Sequence, residues 1–162
     1  MSITGIPHPE AAPRWLSDDQ QRAWRALLAF VARLDDHLDR QLQRDAGMPH
    51  AYYQVLAMLS EAPDRTLRMS QLAGLTTSSP SRLSHAVARL EEKGWVRRDK
   101  HPTDRRGALA VLTDDGWSAV QAAAPGHVAA VREVLFDRLG PGQVTQLRAI
   151  CERLTNSPDL PG

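Results

Sequence analysis

Apolar residues recur at helical spacing over most of the chain and run at β-like density only in two short stretches. Trp24, Leu27, Leu28, Val31, Leu34, Leu38 and Leu42 step by three or four, so a long amphipathic helix is expected from about Ser17 to Arg44. Ser17-Asp18-Asp19-Gln20 starts it as a capping box, the Ser17 hydroxyl taking an orphan amide and Gln20 reaching back to the Ser17 amide. Gly47 and Pro49 punctuate that helix, and a second is expected from about His50 until the chain nears Pro63. A short helix follows near Ser70 to Leu75, with Leu72 and Leu75 turned inward. Ser79-Pro80 is a strong start for the next, because proline at the first helical position gives up an amide that had no partner. Leu83, Ala86, Val87 and Leu90 form its buried face and Gly94 its stop.

Trp95-Val96-Arg97-Arg98 and Ala108-Leu109-Ala110-Val111-Leu112 are the β-prone runs. Pro102, Asp104 and Gly107 lie between them, which predicts an antiparallel hairpin with a long tip. Thr113 caps another helix, with Asp114 and Asp115 at its positive end. Pro125-Gly126 is expected to kink or break it before it resumes through Val128, Val131, Leu135 and Phe136. Leu139-Gly140-Pro141-Gly142 reads as a turn, and a last helix carries Val144, Leu147, Ile150, Cys151 and Leu154. The pattern is mainly α with a small β-hairpin wing. Helix, helix, tight turn, helix and hairpin, in that order, make a winged helix-turn-helix.

Composition changes this picture little until charge is placed along the chain. The 162 residues carry 20 Lys plus Arg and 19 Asp plus Glu, a net charge of +1. Between Arg65 and Ala110, however, ten basic residues face four acids, so that segment is +6 and the remainder −5. An anionic partner for one region is implied. Hydrophobic residues are 42%, enough for a core and too many for a disordered chain. No run approaches the ~18 apolar residues of a membrane span, so no membrane partner is expected. Met1 to Pro13 has no signal-peptide stretch, and the expected address is cytoplasmic. Cys151 is the one cysteine, which rules out an intrachain disulfide and argues against a cysteine-based zinc site.

The candidate chemistry lies on the Ser79–Pro80 helix and the hairpin. A helix entering the major groove must present side chains that reach base edges. Away from Leu83, Val87 and Leu90, this helix presents Ser81, Arg82, Ser84 and His85, with Ser79 at its cap and Arg89 placed for a phosphate. The hairpin offers Arg97, Arg98, Lys100, Arg105 and Arg106 to the backbone or minor groove, with Asp104 at the tip. The plainer alternatives are a solvated basic face, a solvent-facing His85, and a surface ion pair between Asp104 and Arg106. Enzyme signatures are missing: Gly140-Pro141-Gly142 does not extend to a dinucleotide fingerprint, no phosphate-binding loop motif occurs, and the six histidines form no metal-ligand pair. No catalytic residue, metal site or cofactor is expected.

Met69-Ser70-Gln71-Leu72-Ala73, the run from Ser84 to Arg98 containing Glu91-Glu92-Lys93-Gly94, Pro102-Thr103-Asp104-Arg105-Arg106-Gly107 and Leu112-Thr113-Asp114-Asp115-Gly116 together resemble the MarR-type transcriptional regulators. The match runs from about Gln20 to Leu154. The resemblance implies homodimers held by the first and last helices, with two recognition helices in successive major grooves of a pseudo-palindromic operator on double-stranded DNA. It implies that Asp104 braces Arg106, which reaches the minor groove, and that a small aromatic or phenolic effector releases DNA, as it does for many members. The expected organisation is an N-terminal arm over 1–16, a dimerisation helix over 17–48, a DNA-binding domain over 49–112, dimerisation helices over 113–157 and a tail over 158–162. Many members have Arg where this chain has His85, so base preference is expected to differ. The cysteine of oxidation-sensing members lies near the first helix; Cys151 lies in the last, and reads as a packed small hydrophobe.

Trp15, Trp24, His37, His50, Tyr52 and Tyr53 are candidates for the effector pocket, because aromatics beside histidine suit a phenol. The plainer reading, and the one the residues favour, is that Trp24, Tyr52 and Tyr53 fill the core near the dimer junction. His127, after Pro125-Gly126, reads at most as a cap for an interrupted helix. The expected function is a homodimeric transcriptional regulator, in all expectation a repressor; the alternative is a winged-helix protein–protein module without specific DNA binding.

Overall fold

A computed structural model describes residues 13–101 and 107–156. In chain order its elements are α1 (Asp18–Ala46), α2 (His50–Glu61), β1 (Thr66–Arg68), α3 (Met69–Leu75), α4 (Pro80–Glu92), β2 (Val96–Lys100), β3 (Ala108–Leu112), α5 (Asp114–Val134) and α6 (Pro141–Thr155). The chain divides into two compact units, residues 1–33 and 34–162.

In the first unit α1 begins as the capping box predicts. Ser17 N donates to Gln20 Oε1 at 2.9 Å, and Gln20 N donates to Ser17 Oγ at 3.2 Å. Trp24, Leu27, Leu28 and Val31 are about half exposed.

The second unit holds a continuous core built from Leu42, Leu56, Leu59, Leu72, Leu83, Val87, Leu90, Val96, Leu112 and Val120 among others. Burying one such side chain contributes about 1.5–3 kcal/mol. Leu72 is fully buried, but Leu75, expected beside it, is 56% exposed at the last position of α3. A seven-residue helix has two turns, and its final residue projects past the core.

The hairpin forms as expected, with β2 and β3 antiparallel and Val96 paired to Leu112 through Lys100 to Ala108. A third strand was not expected. Thr66, Leu67 and Arg68 pair with Val111, Ala110 and Leu109, so β3 is the central strand in the order β1-β3-β2. Two glycines position the hairpin against α4 and α5. Gly94 ends the helix at φ +73°, a conformation that only glycine adopts freely. Gly116, in the first turn of α5, lies against the Trp95 carbonyl with no room for a Cβ. Thr113 Oγ1 accepts from Gly116 N at 3.0 Å and donates to Gly94 O at 2.7 Å, so one hydroxyl caps α5 and ties it to the end of α4.

Of the expected kink or break at Pro125-Gly126, the break does not occur: α5 is one continuous helix through Pro125. A proline forfeits one intrahelical hydrogen bond. Val120 and Ala123 before it and Ala130 after it are all buried, and that packing keeps both halves in one helix. Likewise Pro141 and Gly142 are not part of a loop; Gly140 precedes the helix and Pro141 is its first residue. α6 buries no residue, and Cys151, expected to be packed, is exposed. Ile150 and Leu154 on the same stripe are exposed as well.

Candidate nucleic-acid interface

α4 is fixed at both ends by local chemistry. Ser79 Oγ accepts from Arg82 N at 3.3 Å, Pro80 follows at the first helical position, and Gly94 closes the far end. Leu83, Ala86, Val87 and Leu90 point into the core. Helical geometry then forces Ser81, Arg82, Ser84, His85 and Arg89 outward, and all five are exposed, as is Ser79. Among the described residues the side chains of Ser81, Arg82, Ser84 and His85 make no hydrogen bond or ion pair. They form a row of free donors and acceptors on a rigid helix. The turn before α4 holds Thr77 at φ +51°, a left-handed conformation unfavourable to a β-branched residue.

The predicted phosphate-binding cations are less free. Arg89 Nη1 pairs with Glu92 at 2.8 Å, and that hydrogen bond raises the Arg89 pKa further. Arg97 pairs with Asp99 at 3.2 Å on its own strand. Both pairs are solvent-exposed and therefore weak, so a phosphate displaces the carboxylate cheaply. Arg98 is held more firmly: Nη2 donates to Ser84 O at 2.7 Å and Nε pairs with Glu91 at 3.2 Å. Lys100 is exposed at the end of β2. Just beyond, His101 N donates to Gly107 O at 3.0 Å and Arg68 Nη2 lies 2.7 Å from His101 Nε2. Asp104, Arg105 and Arg106 lie outside the described residues. Arg65 does not join this face; it pairs with Asp114 at 3.0 Å and covers the Trp117 ring at 4.4 Å.

The six pocket candidates separate. Trp15 and Trp24 belong to the first unit and are exposed. His37 is half-buried, and Tyr52 packs beside the core. His50 and Tyr53 come together with His127, which the sequence offers only as a helix cap. The His127 ring centroid lies 4.3 Å from that of Tyr53 and 5.5 Å from that of His50. Asp39 accepts from His50 N at 2.8 Å, and Asp35 lies 3.2 Å from His50 Nδ1. His127 Nδ1 is buried with no hydrogen-bond partner among the described residues. Burial first and His50 second hold its pKa below the usual value. A continuous α5 carries the signal for this residue, because Val120, Ala123, His127 and Ala130 fall on one face at steps of three and four.

A polar helix face beside a basic three-stranded wing defines the winged-helix class of DNA-reading protein. The model of the MarR family matches residues 46–107. Sco3205, a MarR family transcriptional regulator from Streptomyces coelicolor whose crystal structure is in complex with DNA, is 51% identical over 93% of this chain and 96% of that one, with a TM-score of 0.87. AbsC, another MarR family regulator from Streptomyces coelicolor, is 40% identical over 90% of this chain and 100% of that one, with a TM-score of 0.80. The regulator PecS of Dickeya dadantii (strain 3937) is 32% identical over 85 residues, 52% of this chain and 51% of that protein. This chain thus spans about half the length of that curated relative. The chain belongs to the MarR family of transcriptional regulators. The family consists of regulators rather than enzymes, in line with the missing enzyme motifs.

Proposed function

We propose that this chain is a homodimeric, sequence-specific transcriptional repressor in which α4 reads bases in the major groove and the wing holds the backbone. The observation that carries the reading is the outward row of Ser81, Arg82, Ser84 and His85, exposed and without side-chain partners on a helix capped at both ends. Arg82 and His85 supply donors for guanine or phosphate, and the serines accept or donate at either base type. Arg89, Arg97 and Lys100 serve the phosphates, and Asp104, Arg105 and Arg106 complete the wing tip in this reading. Pairing of two chains is supported by the uncovered apolar residues of α6 and of the first part of α1. The dimer would use residues 17–48 and 113–157, flank a DNA-binding domain over 49–112, and act in the cytoplasm. No described helix is long and apolar enough to cross a membrane.

A small aromatic or phenolic effector fits this reading at His50 and Tyr53, where His127 adds a third ring and an unpartnered nitrogen. Release of DNA by a panel of phenolic carboxylates, lost in Tyr53→Ala, tests that part. The test of the main reading is selection of bound duplexes from random DNA. Two inverted half-sites about one helical turn (~34 Å) apart are expected, with affinity falling steeply as salt rises. Recovery of no consensus, with salt-dependent binding alone, favours the winged-helix module without sequence reading.

A further inference from the structure

The three arginine pairs near the DNA-facing surface are not equivalent. Arg89 pairs within α4, and Arg97 pairs within β2. Among the described residues, the Arg98–Glu91 pair alone joins α4 to the hairpin. It is also the least exposed of the three, with side chains 35% and 33% accessible. Glu91 is used twice: Oε2 lies 3.2 Å from Arg98 Nε, and Oε1 accepts from the Arg98 backbone N at 3.0 Å. The Arg98 guanidinium also donates through Nη2 to the Ser84 carbonyl at 2.7 Å, seven residues before Glu91 on the same helix. Ser84 lies within the base-facing row itself. The arginine fork therefore grips the recognition helix at a carboxylate near its end and at a backbone carbonyl in its middle. A lysine has no such fork.

We propose that Arg98 is a positioning residue for DNA recognition: with Glu91 it sets the angle between α4 and the wing, so that the helix in the major groove and the hairpin engage one duplex together. This replaces the phosphate contact that the basic run implied for Arg98. The inference rests on the DNA-binding reading above. A phosphate contact and a clamp make opposite demands on Glu91. If Arg98 served a phosphate, Glu91 would compete with the DNA, and removing its charge would tighten binding. If Arg98 serves as a clamp, removing Glu91 releases the wing and weakens binding.

The test compares Glu91→Gln, Arg98→Met, Arg98→Lys and the Glu91→Gln/Arg98→Met double variant on the selected duplex and on a scrambled one. Each single variant is expected to lose roughly tenfold on the selected duplex, with the scrambled duplex bound as before, and the double variant to be no worse than either single. Loss on both duplexes alike would indicate a merely structural role and overturn the proposal. So would tighter or unchanged binding by Glu91→Gln, or fold-changes that multiply in the double variant. Amide exchange of the free chain is read separately: faster exchange across residues 96–100 in Glu91→Gln is expected, and unchanged exchange contradicts the clamp without reference to DNA. Failure of the wild-type chain to prefer any duplex refutes the regulatory reading instead.

Discussion

Helices α4 and α6 are 13 and 15 residues long, and both carry apolar residues every three or four positions. Within the chain their fates differ. α4 buries Leu83, Ala86, Val87 and Leu90, while α6 buries nothing and leaves Ile150 and Leu154 more than half exposed. The stripe tells which face will be covered; it does not tell by what. What remains uncovered on α4 is polar and cationic, suited to a polyanion. What remains uncovered on α6 is apolar, suited to another protein surface. The same contrast separates the second half of α1, where Leu38 and Leu42 are buried, from its first half, where Trp24 to Val31 are not.

Four substitutions or conditions sharpen that contrast, the first expected to act most strongly. Ile150→Asp with Leu154→Asp places two charges on the apolar face of α6. Burying each original side chain is worth about 1.5–3 kcal/mol, so self-association should weaken by a factor of at least ~100. Sedimentation equilibrium reads it, and an unchanged dimer would mean that α6 is not an interface. Leu90→Ala removes a fully buried side chain of α4 and should cost about 2–5 kcal/mol of unfolding free energy in urea. Arg82→Ala acts on the opposite face of the same helix. It should weaken the selected duplex by about 1–3 kcal/mol and relax preference at one base position, leaving stability within ~0.5 kcal/mol.

The smallest effect concerns pH. His127 has its pKa lowered from 6.5 in the folded chain, by burial and then by His50. The unfolded chain therefore takes up the proton more readily, and stability falls as pH drops below about 6.5 toward the lowered folded value. His127→Phe should flatten that dependence in denaturation measured from pH 7 to 5. A slope unaltered by the substitution would assign the effect to other groups.

What could be read from the sequence was local. Ser79-Pro80, Gly94 and Thr113 each mark a boundary by their own backbone preferences, and all three hold in the structure. The outer face of α4 followed from its period once those ends were known. What could not be read depends on distant packing. β1 is three residues long and exists because Leu67 pairs with Ala110, a partner far along the chain. Pro125 signals a kink or a break by its own chemistry, yet buried neighbours on both sides lie on one continuous α5, and reading the helix as interrupted hides the face that carries His127. The grip of Arg98 on Ser84 O required knowing how close β2 comes to α4. Spacing showed a run of arginines and not which acid each would meet.

In the proposed regulator the exposed face of α4 meets DNA while the exposed face of α6 meets protein. Hydrogen–deuterium exchange of the chain, alone and bound to its selected duplex, tests both halves at once. Slowed exchange confined to residues 79–89 and the hairpin, with α6 already protected before DNA is added, is the predicted result. Protection appearing in α6 only on DNA addition, with α4 unchanged, would contradict the account.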